Sequence, residues 1–134
     1  MSAGRGGCYC GALRYAVTAK PVFKAQCHCR PCQYASGGGP NYFMLIPASG
    51  VAITGTAQRF ARADLENPVT RVFCPTCGTQ VCTERADLGM VVLRVGTLDD
   101  PSVFGAPKAA IHMSEAQAFH CVADGVPQFD GLPQ

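Results

Sequence analysis

Seven of the nine cysteines in this chain stand in three tight groups, Cys8-x-Cys10, Cys27-x-Cys29-x-x-Cys32 and Cys74-x-x-Cys77. Thiolates at these spacings are zinc ligands, and seven of them make one four-sulfur site plus one three-sulfur site. Zinc in a structural role is closed by four protein ligands, whereas zinc that does chemistry keeps a position for water or substrate. The cysteine count therefore points to one staple and one reactive centre.

Cys74-Pro-Thr-Cys77-Gly78 is the strongest local signal. Two cysteines three apart around a tight turn present both sulfurs to one ion, and the glycine that follows takes the left-handed conformation the turn needs. Such a knuckle must find two more ligands, and Cys8 and Cys10, themselves followed by Gly11, are the natural pair. Cys27-His28-Cys29-Arg30-Pro31-Cys32 combines both spacings with no fourth cysteine nearby. A thiol reaching a metal held by these three would lose its proton, beside a Lewis acid able to polarise a carbonyl.

Two alternatives stand beside this reading of the second group. Cys82, Cys121, His28, His112 or His120 could close its tetrahedron, or Cys29 and Cys32 could form a redox disulfide. Neighbouring side chains in an extended segment point to opposite faces, so His28 is expected to turn away from a metal held by Cys27 and Cys29. Cys82 and Cys121, in apolar surroundings, read as buried small hydrophobes. His112 and His120 are residues of the type that serves as a proton shuttle at neutral pH, but a lone histidine in a strand is more often structural.

Short apolar and β-branched runs separated by Gly, Pro or Asp must position these groups, and they predict a mostly β chain. The expected strands are 13–18, 22–27, 42–46, 51–54, 57–61, 70–74, 80–83, 90–95 and 110–112. A single helical turn is expected over 30–36, and a short helix or turn opening at Asp99-Asp100-Pro101. Ser36-Gly-Gly-Gly-Pro40 reads equally as a linker or as backbone brought close to a ligand. The tail from Asp124 is expected to run extended over the surface.

The 134 residues suit one domain, 1–134. No run approaches a membrane span and no apolar secretory core follows the start, so a cytoplasmic protein without a membrane role is expected. The odd cysteine count also favours reduced, metal-binding thiolates over a disulfide framework. A four-thiolate zinc site carries about −2 and a three-thiolate one about −1, which takes the formal charge of +2 to about −1. With the basic residues scattered, nucleic acid is not the expected partner.

Gly7-Cys-Tyr-Cys-Gly-Ala-Leu-Arg-Tyr15, Cys27-His-Cys-Arg-Pro-Cys32 with Ala35-Ser-Gly37, and Phe73-Cys-Pro-Thr-Cys-Gly-Thr79 together resemble the signature of the glutathione-dependent formaldehyde-activating family, related to the domain of centromere protein V. Gly96-Thr-Leu-Asp-Asp-Pro101, Ile111-His112 and Asp124-x-x-Pro-Gln-Phe129 resemble its downstream features. The resemblance implies a β-tent fold of small packed antiparallel sheets stapled by zinc. It implies a structural zinc on Cys8, Cys10, Cys74 and Cys77, and a catalytic-type zinc on Cys27, Cys29 and Cys32. The activity it implies is that of a carbon–sulfur lyase joining glutathione to formaldehyde, or to a related small aldehyde, as S-hydroxymethylglutathione. Arg30 is the simplest candidate to meet a glutathione carboxylate.

Two departures from the family pattern stand out: Phe119 where members often carry Trp, and Cys82 where an aromatic or aliphatic residue is common. The competing reading is a non-enzymatic zinc module, structural or sensing a small thiol or metal.

Overall fold

In the computed structural model, which describes residues 4–133, ten strands form two sheets. The strands are β1 (Gly4–Gly7), β2 (Leu13–Val17), β3 (Phe23–Cys27), β4 (Asn41–Pro47), β5 (Val51–Gly55), β6 (Gln58–Phe60), β7 (Thr70–Phe73), β8 (Gln80–Arg85), β9 (Met90–Arg94) and β10 (Ala109–Ile111). The helix α1 covers Arg30–Ser36. A three-stranded sheet has the order β1-β2-β5, and a seven-stranded sheet the order β10-β3-β4-β9-β8-β7-β6. All pairings are antiparallel except β10 on β3, so the larger sheet is mixed. The mainly β architecture expected from the short apolar runs holds.

Alternation along the strands separates two cores. In β2, Leu13, Tyr15 and Val17 are buried and the residues between them are not, the period of two that gives a strand one inward face. They pack on Met44, Ile46, Val91 and Leu93 of the larger sheet, together with Val72, Val81, Cys8 and Cys74. The next residues of the same strands, Phe43, Leu45 and Val92, face the other way, into a second core with Ala25, Cys27, Cys32 and Ile111. Each core thus runs into one of the cysteine groups.

Helix α1 forms where the sequence carries start and stop signals. Cys29 is its N-cap, Pro31 lies in its first turn, and Gly37 closes it in the left-handed region at φ 82°, a conformation glycine takes without a Cβ penalty. The Gly-Gly-Gly stretch is therefore a helix terminator. At the predicted Asp99-Asp100-Pro101 turn, Asp100 caps a 3-10 turn over Pro101–Phe104 through the Ser102 N–H.

The tail does more than cover surface. Gln128 bridges Ala110 in parallel register, the Phe129 N–H donates to the Ala110 carbonyl, and the Phe129 ring packs on the second core.

Candidate metal centres

The first group joins two turns from distant parts of the chain. One follows β1: the Cys8 N–H donates to the Leu13 carbonyl, the Gly11 N–H to the Cys8 carbonyl, and Gly11 sits at φ 86°. The other follows β7, where a register shift between Val72 and Phe73 ends regular pairing just before the knuckle. There Gly78, at φ 79°, donates to the Cys74 carbonyl. The Tyr9 N–H reaches across to the Thr79 hydroxyl at 3.2 Å and ties the turns together.

The Cys8, Cys10, Cys74 and Cys77 sulfurs all lie within 4.8 Å of one another. Cys8 and Cys10 are 3.6 Å apart and Cys10 and Cys74 3.8 Å. A tetrahedron of thiolates around zinc has edges of about 3.8 Å, given Zn–S near 2.3 Å, so this donor set fits the ion. Backbone N–H groups of Leu13 and Thr76 donate to the Cys8 and Cys74 sulfurs at 3.2 and 3.4 Å, and the Thr79 hydroxyl and N–H hold the Cys77 thiol down to about 5. These contacts favour thiolate, the form that binds metal.

The second group gathers at the end of β3 and the start of α1. The Cys27, Cys29 and Cys32 sulfurs also lie within 4.8 Å of one another, and among the described residues the group does not extend to a fourth Cys, His, Asp or Glu ligand atom. Cys27 and Cys32 are buried and Cys29 is half-buried. Cys29 and Cys32 are 2.9 Å apart, and the Cys32 N–H donates to the Cys29 sulfur. Side-chain contacts with Cys27 and then with Cys32 hold Cys29 down to about 2. The side-chain hydrogen bond with Cys29, followed by burial, pushes Cys27 up to about 12, and Cys32 is raised by Cys27 and Cys29. Three soft sulfurs within 4.8 Å of one another are a donor set of the kind zinc takes, but the 2.9 Å between Cys29 and Cys32 is shorter than the edge of about 3.8 Å around zinc, so these two would have to part to hold the ion.

Both groups named in the sequence are thus brought together, and the structure places the other candidates elsewhere. His28 is fully buried and turned into a polar network, as its position between two ligand candidates predicts. Cys82 is buried in the first core and belongs to neither group; burial pushes its thiol up to about 12. Cys121 corrects the expectation of burial: it is exposed, because its segment is held by backbone groups, the Cys121 carbonyl accepting from Gln26, while the side chain faces out. His112 lies just past β10 in the left-handed region at φ 55°.

Spacing did not reveal the network that joins His28 to His120, 92 residues away. The His28 and His120 Nδ1 atoms are 2.8 Å apart, His120 Nε2 is 2.7 Å from the Gly38 carbonyl, and Gln26 Nε2 is 3.0 Å from His28 Nε2. Gln33, buried in α1, donates to the carbonyls of His28 and Glu115. These bonds lock the helix and its glycine terminator against the segment after β10.

A mainly β chain with two cysteine groups suited to zinc is the class of protein that this fold and these sites define. Residues 3–115 match the family model described as glutathione-dependent formaldehyde-activating enzyme, and the chain belongs to that family. A crystal structure of a Rhodobacter sphaeroides protein, a Northeast Structural Genomics target, is similar with a TM-score of 0.60 at 18% identity, covering 75% of this chain and 94% of that one; the likeness carries the fold. No curated protein sequence matches significantly. Among the described residues no helix is long and apolar enough to cross a membrane.

Proposed function

We propose that this protein is a zinc-dependent carbon–sulfur lyase of the glutathione-dependent formaldehyde-activating type, forming or cleaving S-hydroxymethylglutathione or a related thiol–aldehyde adduct. The observation that carries the reading is the difference between the two cysteine groups. Cys8, Cys10, Cys74 and Cys77 supply the four sulfurs of a closed structural site, while Cys27, Cys29 and Cys32 supply three. Zinc bound by those three supplies a Lewis acid that favours a substrate sulfur in its thiolate form.

In the forward direction the thiol sulfur bonds to the aldehyde carbon, and the carbonyl π pair moves to oxygen. The proton that left sulfur ends on that oxygen as the new hydroxyl. The chain's own part is to hold and orient. Cys29, half-buried at the N-cap of α1, presents its sulfur at the edge of the group, while buried Cys27 and Cys32 anchor it to the second core. His28 and Gln33 fix the backbone of this turn from behind, through their bonds to His120 and to the His28 carbonyl.

The test combines metal content with kinetics of adduct formation between glutathione and formaldehyde, read against the uncatalysed rate. Cys29→Ser is expected to leave a folded protein with one zinc fewer and no acceleration, and Cys77→Ser to lose the fold. Wild-type protein carrying two zinc ions yet matching the uncatalysed rate would overturn the enzymatic reading in favour of a zinc module.

A further inference from the structure

The second face of the seven-stranded sheet is covered at its inner end and bare at its outer one. A row of residues paired in register crosses it from Val92 on β9 through Thr83 on β8 and Arg71 on β7 to Phe60 on β6, the outermost strand, and residues paired in this way share a face. Val92 packs on the second core, Thr83 is buried and accepts from the Arg71 guanidinium at 3.1 Å, and Phe60 is 56% exposed. Helix α1 packs on β4, at the inner end.

The bare end forms a groove of about 540 Å³ between α1 and the loop 61–69 that joins β6 to β7. Its walls include Pro31 and Tyr34 of the helix, Phe60 of β6, and Leu65 and Val69 of the loop. Tyr34, Phe60 and Leu65 are each at least half exposed, and large apolar side chains gathered on a surface mark an interaction site. The groove shares Ala35 and Gln80 with a cleft of about 400 Å³ that carries Arg94, which bounds it on the polar side.

Charge identifies what would fill the groove. Arg30 and Arg71 line it, and among the described residues neither guanidinium meets a carboxylate, whereas Arg62 is taken up by Asp64 within the loop. Glu66 follows Leu65 in the same exposed loop and, among the described residues, has no cationic partner. One patch thus offers an apolar groove with free cations and, beside it, an apolar side chain followed by a free acid. A surface that carries both halves of its own complement suits a two-fold contact, in which the same patch meets itself. The strand edge is unsuited to the contact: β6 is three residues long and carries Arg59, with Arg62 just beyond, and short, charged edges resist pairing.

We propose that this groove is the interface with a second copy of the chain, Leu65 of each copy entering the groove of the other and Glu66 pairing with Arg71 across the two-fold axis. Cys32 and Gln33 are buried on the inner side of α1 while Pro31 and Tyr34 line the groove. The second copy therefore lies against the outside of the helix that carries part of the three-cysteine group.

Sedimentation equilibrium of the zinc-loaded full chain tests this. Wild type is expected to be a dimer whose dissociation constant rises with salt, because exposed ion pairs are screened. Leu65→Asp, at an exposed loop position, is expected to weaken the dimer about tenfold or more, and Glu66→Arg and Arg71→Glu, which set like charges together, to do the same. Leu88→Asp, at another exposed apolar position, is expected to leave it unchanged. Mixing Glu66→Arg chains with Arg71→Glu chains places opposite charges at both contacts, so a mixed dimer is expected although neither variant pairs with itself. A merely structural role for Arg71 would not produce that rescue. A wild type that stays monomeric across the micromolar range, or a dimer indifferent to Leu65→Asp and to the charge reversals, would overturn the proposal. A monomer that instead takes an acidic peptide into the groove would overturn it too, since the occupant would then be a different protein.

Discussion

The buried histidine pair has tautomers that follow from its partners. The side-chain amide of Gln26 donates to His28 Nε2, so the His28 proton is on Nδ1 and is donated to His120 Nδ1. His120 Nδ1 also accepts from the Gln117 N–H, which leaves its proton on Nε2, directed at the Gly38 carbonyl. Every ring nitrogen has a complementary partner, and burial, reinforced by His120, lowers the His28 pKa and keeps it neutral. His120→Phe removes the acceptor and leaves a buried donor unmet, at a cost of about 1–3 kcal/mol. The expected result is a lower denaturation midpoint with unchanged zinc content, and an unchanged midpoint would show that the pair contributes nothing to the fold.

The two cysteines outside the metal groups give a contrast at the same scale. The thiolate is the reactive form, and Cys82 is both buried and pushed up to about 12, whereas Cys121 is exposed. In zinc-loaded protein an aromatic disulfide reagent is expected to find one fast thiol, which disappears in Cys121→Ser and persists in Cys82→Ala.

At the scale of elements, β1 is the strand that local preference does not explain. Its residues are Gly-Arg-Gly-Gly, with none of the β-branched or aromatic side chains that mark strands. Close approach replaces them: a Cβ at Gly6 would stand 2.2 Å from the Thr97 carbonyl oxygen and 2.3 Å from the Tyr15 hydroxyl, while one at Gly96 meets nothing within 4 Å. Gly6→Ala is therefore expected to destabilise by about 1–3 kcal/mol or more through overpacking, and Gly96→Ala to be tolerated, as thermal unfolding of the two variants would check.

The same distinction explains what could be read from the chain beforehand. Strands β2, β4, β8 and β9 were legible because their side chains alternate or are β-branched, and α1 because Cys29, Pro31 and Gly37 mark its ends. The cysteine groups were legible because their chemistry fixes their spacing. Cys121 was misread because apolar neighbours suggest burial, yet Phe119 beside it is 71% exposed. Arg71, Gln80 and Arg94 stand on three different strands, β7, β8 and β9, and only the pairing of those strands brings them to two clefts that share Gln80.

Over the whole molecule, the two cysteine groups occupy different mechanical positions, and this sets how the protein should respond to loss of metal. The four-sulfur group links the turn after β1 in the three-stranded sheet to the turn after β7 in the seven-stranded sheet, so it holds the two layers around the first core. Apparent binding energies of structural zinc, about 10–16 kcal/mol, match or exceed the net stability of a typical domain, about 5–15 kcal/mol. The three-sulfur group spans only residues 27–32, at the edge of the second core. That region has its own supports in β10, the Phe129 contact and the histidine network.

A chelator titration is accordingly expected to proceed in two stages. The first zinc should leave without change in the β-sheet signal of far-ultraviolet circular dichroism, and the second together with cooperative loss of that signal. Cys29→Ser should show the second stage alone. Loss of both ions in one step, with the fold lost at the first equivalent, would mean that the three-sulfur group also staples the sheets and is no separable reaction centre.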